Sequence, residues 1–190
     1  MPWILDELGR SDKPDWAFTD RQSLPRNLSM PHVVPDASSW PVRIVQSSKR
    51  PVPDYTGGPA LGIVVVSEAF KSLVESWDPV PHHFIPLEIT RPDGTVAKGT
   101  NHIFKLGSFV ENGIVTEKSE VRVDFWKGEV SHYLAKTLSP RLTWQGAAIA
   151  GRHIWADRHL KQAIVVSDLF HAELQARGMG GFLAIEGQIE

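Results

Sequence analysis

Three residues in the last third of the chain have side chains that could hold a metal ion. His153, Asp157 and His159 lie close together in sequence, and imidazole nitrogens and carboxylate oxygens are ordinary zinc ligands. A metal-dependent hydrolase would use such a set to activate a bound water. Their spacing matches no fixed ligand pattern, such as two histidines on one helix face. We therefore predict ordinary polar or packing roles and no bound metal, and keep the hydrolase as an alternative.

A second group of charged residues lies on a segment with a strand pattern. Residues 120–127 alternate apolar and charged side chains for most of their length, which is typical of a strand with one face in water. On such a strand Glu120, Arg122 and Asp124 share one face, where charges pair with those of a neighbouring strand. Carboxylates beside lysines also resemble the core of a metal-dependent nuclease, but the alternation favours a charged solvent face. We predict no catalytic residues here.

The segment around Ser67 occurs a second time, one hundred residues later in the chain. Val65, Val66, Ser67 and Phe70 are matched by identical residues at 165, 166, 167 and 170, and Glu68 is matched by Asp168. In each copy a β-branched run predicts a buried strand. The serine then supplies an N-cap oxygen, and the acid that follows faces the positive end of a helix dipole. Neither serine lies in a G-x-S-x-G elbow, so the pattern predicts helix caps and not nucleophiles.

These patterns together predict an α+β fold of mixed or antiparallel sheets with few short helices. It is built around two strand–helix–strand copies at an offset of 100 residues, because each helix is followed by another apolar extended stretch. Residues 83–90 and 95–106 are predicted to pair through the turn of residues 91–94, where Pro92 and Gly94 suit a tight reversal. Residues 130–138 fit a strand or a short helical turn, residues 41–45 a short strand, and residues 55–59 a loop.

The first sixty residues differ from the rest in their proline content. Nine of the fourteen prolines fall there, and proline in a helix interior removes a hydrogen bond and clashes with the preceding turn. Isolated aromatics such as Trp3 and Trp16 make this segment too apolar for a free tail. We predict a proline-rich arm, residues 1–60, packing on a main α+β domain of residues 61–190.

Composition narrows the functional classes. A net charge of −2 gives no electrostatic case for nucleic acid, and the absence of cysteine excludes disulfides, thiolate zinc sites and cysteine nucleophiles. No stretch approaches the roughly 18 to 20 apolar residues of a membrane span, and no secretion signal is recognisable. We expect a cytoplasmic protein without cofactor, nucleic acid or membrane as partner. Seven scattered tryptophans leave a ligand- or sugar-binding domain as a second alternative.

The repeated segments also resemble a known family. The first carries Val-Val-Ser-Glu at residues 65–68, an Asp78-Pro79 stop and His-Phe-Ile-Pro-Leu-Glu-Ile at residues 83–89. The second carries Gly-Arg-His-Ile-Trp at residues 151–155, Ile-Val-Val-Ser-Asp-Leu-Phe at 164–170 and Gly-Met-Gly-Gly-Phe at 178–182. Over residues 61–187 this pattern resembles a bacterial family first catalogued as a domain of unknown function and later assigned to the immunity proteins of polymorphic toxin systems.

The resemblance implies a protein without catalysis that binds and neutralises a cognate toxin encoded next to it. The matching positions are strand, cap and glycine residues, so the resemblance carries over no binding site. From the residues themselves we predict a partner-binding surface on the charged strand, at Glu120, Arg122, Asp124 and Trp126, because an exposed aromatic among charges is typical of interface hot spots. Self-association into a homodimer, through an exposed strand edge or the arm, stays open.

Overall fold

The computed structural model describes residues 1–7, 14–19, 41–60, 62–137, 139–160 and 163–190. Within them the chain is mostly strand with few short helices, arranged in several mixed sheets, which confirms the predicted α+β class. The strands are β1 (Pro2–Glu7), β2 (Trp16–Phe18), β3 (Val42–Gln46), β4 (Tyr55–Gly57), β5 (Val64–Ser67), β6 (His83–Thr90), β7 (Val96–Lys105), β8 (Phe109–Val110), β9 (Val121–Trp126), β10 (Glu129–Ala135), β11 (Thr143–Trp144), β12 (Ile154–Asp157), β13 (Ile164–Ser167), β14 (Phe182–Glu186) and β15 (Gln188–Ile189).

Among the described residues, three α-helices accompany these strands. They are α1 (Glu68–Trp77), α2 (Gly146–Ile149) and α3 (Asp168–Ala176), with a 3-10 turn at Thr116–Lys118. The chain forms two compact units. We call Glu7–Gly107 with Gly178–Phe182 the N-terminal unit, and Met1–Asp6, Ser108–Arg177 and Leu183–Glu190 the C-terminal unit.

The N-terminal unit is built on a six-stranded sheet of order β2-β3-β6-β7-β5-β4. Strands β6 and β7 form the predicted hairpin, with His83 opposite Lys105 and Thr90 opposite Val96. Gly94 has a φ of 82° in the connecting turn, a conformation that glycine adopts without steric cost. Alternate residues of β3 and β6, Ile44 and Ile85 among them, form one apolar core with Ile63, Val65 and Ile103.

The C-terminal unit contains a five-stranded sheet of order β14-β1-β13-β12-β8, with the two-stranded pairs β9–β10 and β11–β15. Strand β1 runs antiparallel to β13, so that Trp3 lies opposite Val166. The core of this unit includes the rings of Trp144 and Trp155, which meet edge to face with centroids 5.8 Å apart. This edge-to-face arrangement is favourable for aromatic pairs.

The repeat predicted from the sequence forms as expected in both units. The Ser67 Oγ accepts a hydrogen bond from the Phe70 amide at 3.1 Å, and the Ser167 Oγ accepts one from the Phe170 amide at 3.2 Å. Both serines have extended backbone angles, as an N-cap residue requires. Each helix then buries its apolar side chains, including Phe70 and Phe170. The two serines are therefore helix caps.

Several local predictions can be compared with the structure. The ambiguous residues 130–138 begin as strand β10, and residues 41–45 fall almost entirely in β3. The predicted loop at residues 55–59 is wrong, since Tyr55 to Gly57 form β4 and pair antiparallel with β5. The two glycines that suggested a loop did not prevent pairing, because Tyr55 and Thr56 are buried beside β5. The division into an arm of residues 1–60 and a domain of residues 61–190 stays a prediction, and residues 8–13 and 20–40 of that arm lie outside the described residues.

Candidate partner-binding surface

The predicted binding residues belong to the β9–β10 hairpin of the C-terminal unit. Trp126 lies opposite Glu129, and the two residues between them form the turn. Lys127 and Gly128 have φ angles of 52° and 84°. Positive φ at both central positions is the mark of a type I′ turn, whose twist matches that of the two strands it joins. The sequence around this turn therefore holds the end of the hairpin in one conformation.

One face of the hairpin joins the core of its unit. Val121 and Tyr133 are buried, and Val123 and Val130 are partly buried against the same apolar cluster. Val123 lies opposite Tyr133, so the cross-strand pair continues the core along the hairpin. This anchoring leaves the opposite face, which carries the intervening residues of β9, free of the core.

The other face carries a charged cluster and a tryptophan. The Asp124 carboxylate receives the Arg122 Nε at 3.2 Å and lies 3.3 Å from the His132 Nε2. Trp126 is 70% exposed. The structure therefore brings Arg122, Asp124 and Trp126 onto a single solvent-facing surface, together with His132, which the sequence did not indicate because it comes from the facing strand.

Phe125 is the second residue that the alternating pattern did not identify. By period it belongs to the inward face with Val121 and Val123, yet it is 65% exposed. The reason is its position: Phe125 is one residue from the end of β9 and lies opposite Val130, next to the turn. The end of the hairpin thus exposes two adjacent large aromatics. The one sequence signal that could have revealed the exposure of Phe125 was its closeness to the Lys127-Gly128 turn.

Glu120 lies one residue before β9 and is held by a different partner. Its carboxylate accepts hydrogen bonds from the Arg141 backbone amide at 3.0 Å and from the Arg141 Nη2 at 3.0 Å. The backbone hydrogen bond, aided by the guanidinium, lowers the pKa of the Glu120 carboxyl. Glu120 therefore stays ionised and anchored, and contributes negative charge beside the strand without sharing the Arg122–Asp124 contact.

The residues of the alternative metal site do not form a ligand set. Asp157 is buried, and its two oxygens accept hydrogen bonds from the backbone amides of Gly113 at 2.7 Å and His159 at 2.8 Å. Burial raises the pKa of Asp157, partly offset by those amides. His153 instead contacts the Ser167 Oγ through Nδ1 at 3.2 Å. No three histidine, aspartate or glutamate side chains are grouped as metal ligands in the described part of the chain.

A buried acid–base contact lies at the end of α1 in the N-terminal unit. His82 Nδ1 accepts a hydrogen bond from the Gly107 amide at 3.1 Å, which directs the proton to Nε2, 3.4 Å from the Asp78 Oδ2. Burial lowers the pKa of His82, against the opposing charge of Asp78. On the facing strand β7, where Lys105 lies opposite His83, burial lowers the pKa of Lys105 to about 8. Both side chains are almost fully enclosed, and His82 links the Gly107 backbone to Asp78 at the end of α1.

Comparison with known proteins gives one family. The model of an immunity protein family, Imm11, matches residues 7–186. That match includes most of the first sixty residues, where the sequence alone showed no resemblance. A search of curated proteins finds no match. Among the described residues there is no helix with the length and apolar character needed to cross a membrane.

Proposed function

This chain belongs to the Imm11 immunity protein family, and from that premise we propose that it neutralises a cognate toxin by binding it directly, without catalysis. The partner is a protein toxin encoded by the adjacent gene, and the encounter takes place in the cytoplasm. The family membership supports immunity as the biological role. The hairpin surface supports binding as the means, since it presents side chains of the kinds that dominate protein interfaces.

The observation that carries the proposal is the exposed aromatic pair at the end of the hairpin. Trp126 and Phe125 are each about two-thirds exposed, so a partner that covers them removes a large apolar area from water. Tryptophan in particular is enriched among residues whose truncation costs 2 kcal/mol or more of binding free energy. The type I′ turn keeps these rings in place before binding, which reduces the conformational entropy lost on association.

The charged side chains beside the aromatic rings orient the toxin as it docks. Arg122, Asp124 and His132 lie close together on the exposed face, and Glu120 is fixed nearby by Arg141. Charges at the rim of an interface steer the encounter and set the register, while adding little to the affinity. Because the cluster contains positive and negative charges, it fits a toxin surface that places the opposite charge against each of them. We expect an interface of roughly 1,200–2,000 Å2 and nanomolar or tighter affinity.

The first test is co-expression of this chain with the product of the neighbouring open reading frame. We expect restored growth and a complex that co-purifies. In titrations, Trp126→Ala should raise the Kd for the toxin at least tenfold, and Phe125→Ala should do so to a similar or smaller degree. The matched control is Leu169→Ala, which truncates a side chain that is 66% exposed on α3. A Trp126→Ala protein that binds as tightly as the Leu169→Ala protein would exclude the hairpin as the binding surface.

The stoichiometry of neutralisation separates binding from catalysis. A protein that acts by occupying the toxin must be present in at least equimolar amount, because each chain is consumed in a complex. A protein that modified or degraded the toxin would protect at much lower ratios, since one chain would turn over many toxin molecules. We expect toxin activity to fall linearly and to reach zero near one chain per toxin. Complete protection at a small fraction of that ratio would contradict the non-catalytic proposal.

Self-association of the chain is a further proposal, supported by an edge strand in the described part of the chain. Strand β14 is the outermost strand of the five-stranded sheet, and an edge strand offers unpaired backbone groups to a second copy. We expect light scattering on the purified protein to show a dimer. A monomer at all concentrations would remove the edge as an interface while leaving toxin binding unaffected.

A further inference from the structure

A cleft of about 700 Å3 lies in the N-terminal unit and shares no lining residue with the hairpin surface. Its lining residues come from the ends of β3, β5 and β6, from β7, from the segment after β3 and from the turn between β6 and β7. The floor is apolar and includes Ile89, Ala97 and Val52, which also contact the core of the unit. The volume lies in the range of small-molecule sites, about 300–1,000 Å3.

The charges around this cleft are predominantly positive. Lys49, Arg50 and Arg91 line it, against the single carboxylate of Asp93. That carboxylate is already engaged, because it accepts hydrogen bonds from the Thr95 hydroxyl at 2.7 Å and the Thr95 amide at 2.9 Å. These bonds lower the pKa of Asp93, so it remains ionised and directed at Thr95.

The three cations differ from most other lysine and arginine residues in the described part of the chain. Within the described residues Lys49, Arg50 and Arg91 form no salt bridge, whereas Arg43 and Lys98 on the same sheet both pair with Glu88. A protein of net charge −2 has enough carboxylates to pair these cations, yet the fold gathers them around a concavity. Unpaired guanidinium groups at the rim of an apolar cleft are suited to a carboxylate or phosphate, which they bind through charge-assisted hydrogen bonds.

An asparagine side chain adds a hydrogen-bond donor to the cleft. Asn101 lines the cleft and is 6% exposed. Its Oδ1 accepts a hydrogen bond from the Thr100 hydroxyl at 3.1 Å. A primary amide carries two N–H donors on its nitrogen, and an anion in the cleft would accept from the Asn101 Nδ2.

A second buried amide holds the cationic segment in place. The Gln46 side chain, 4% exposed, donates a hydrogen bond to the backbone carbonyl of Arg50. This contact joins the segment after β3 back to the last residue of β3 and so restricts the positions of Lys49 and Arg50. The cations are thus positioned by the fold and are not carried on a free loop.

We propose that this cleft binds a small organic anion, with its apolar body on Ile89, Ala97 and Val52 and its carboxylate or phosphate at Arg91, Arg50 and Lys49. Asn101 donates from its Nδ2 to the same ligand. The site is independent of toxin binding through the hairpin, which belongs to the other compact unit. The shared chemistry is an anionic group on an apolar body, which a nucleoside diphosphate and an aromatic carboxylate both carry, whereas a tricarboxylate offers the anionic groups alone.

The test is a titration of the full chain, followed by backbone amide NMR shifts and by calorimetry, with ADP, citrate and benzoate as probes at millimolar concentration. We expect at least one probe to bind with a stoichiometry of one and to shift the amides of Arg91, Thr100 and Asn101. Its affinity should fall as salt is raised, because the contact is ionic. If ADP is the probe that binds, adenosine should bind at least tenfold more weakly, since it lacks the anion.

Two variants and a matched control make the test specific. Arg91→Gln removes an exposed cation, and Asn101→Asp is nearly isosteric but places a negative charge in the cleft. Each should weaken the bound probe at least tenfold, while Lys98→Gln, the same loss of charge on the same sheet outside the cleft lining, should leave it unchanged. The proposal is overturned by an absence of cleft shifts with all three probes, or by equal losses in Arg91→Gln and Lys98→Gln. Binding of an acidic oligoglutamate peptide alone would also overturn it, in favour of a protein segment as occupant.

Discussion

The two copies of the strand–helix–strand repeat begin their helices with the same local hydrogen bonds but use different long-range partners. In each copy a serine caps the helix, and its backbone amide donates to the residue just before the neighbouring strand. Ser67 donates to the Asp54 carbonyl before β4 and Ser167 to the His153 carbonyl before β12, both at 2.9 Å. The first helical residue, an acid, is bonded to an aromatic ring nitrogen from the strand on the other side. Glu68 contacts the His102 Nε2 at 2.5 Å, and Asp168 accepts from the Trp3 Nε1 at 2.8 Å.

The register of the strands explains why these partners are equivalent. His102 lies opposite Val66 and Trp3 lies opposite Val166, so both rings occupy the same position relative to the helix start. One partner follows its helix in the chain and the other comes from the N-terminus, 165 residues away from Asp168. The cap is kept in both copies because a helix start always has unpaired amides to satisfy. The partner of the acid needs only a donor in that position, so histidine and tryptophan serve equally.

The largest loss of unfolding free energy should come from truncating the buried phenylalanines at matching positions of the two copies. Phe70 and Phe170 are both fully buried, so truncation to alanine should cost about 3–5 kcal/mol of unfolding free energy in either copy. Chemical denaturation of Phe70→Ala and Phe170→Ala measures this, with Leu169→Ala as an exposed control that should change little. A loss in one variant much smaller than in the other would show that only one copy is essential to its core.

Removal of the caps should give the next largest effect. Ser67→Ala and Ser167→Ala should each lower the unfolding free energy by about 1 kcal/mol, the usual cost of losing a serine N-cap. Ser67→Ala should cost the more, because the bond from the Ser67 Oγ to the Asp54 carboxylate at 2.7 Å is charge-assisted and shorter than the 3.2 Å contact of the Ser167 Oγ with the His153 Nδ1. Serine-to-threonine replacements keep the cap oxygen and serve as controls. If alanine and threonine variants unfold at the same denaturant concentration, the caps contribute nothing.

The helix ends differ between the copies and predict a smaller effect. Helix α3 is followed by Gly178 with a φ of 65°, whereas α1 ends at Asp78 with an extended backbone. Gly178→Ala should therefore cost about 1 kcal/mol, because alanine is strained at positive φ. Gly180→Ala is the control, since Gly180 lacks positive φ and a Cβ there meets no atom within 4 Å. Equal thermal unfolding midpoints for both variants would contradict the requirement at Gly178.

The end of α1 should also respond to pH, over a narrow window. Burial lowers the pKa of His82 from its usual 6.5, so the unfolded chain takes up the proton at higher pH than the folded chain. Stability from this group is complete above pH 6.5 and falls as the pH drops towards the lowered value, by at most about 1.4 kcal/mol per pH unit for one proton.

The matching measurement is the unfolding free energy between pH 5 and 7.5. His82→Asn, whose amide oxygen can still accept from Gly107, should flatten part of the pH dependence in that window. His83→Asn keeps the burial of His82, the largest cause of its lowered pKa, and removes only the smaller effect of the His83 charge, so it should alter the curve much less. An unchanged slope in His82→Asn would show that His82 is not responsible; His171, whose pKa burial also lowers, would then be the next group to replace.

The candidate surface shows how far the sequence predicts a site. Alternation in residues 120–127 predicted the strand and the exposed face that carries Arg122, Asp124 and Trp126. It did not predict His132, which reaches Asp124 from β10, nor the exposure of Phe125, because period alone cannot tell where the core beneath a strand ends. The cationic cleft was also not foreseen, since Lys49, Arg50 and Arg91 come from separate segments that only strand pairing brings together.

The sequence by itself determined the features that depend on a few neighbouring residues. Serine caps, the turn at Gly94, the α+β class and the doubled motif all follow from preferences acting within about one helical turn or one hairpin. Only the tertiary structure decided which strands are neighbours: β1 lies between β13 and β14, and β8 runs parallel to β12. Backbone hydrogen bonds between strands are alike for every sequence, so the choice depends on how distant apolar faces fit together in one core. That choice placed Trp3 beside Asp168 and gathered the cations at the cleft.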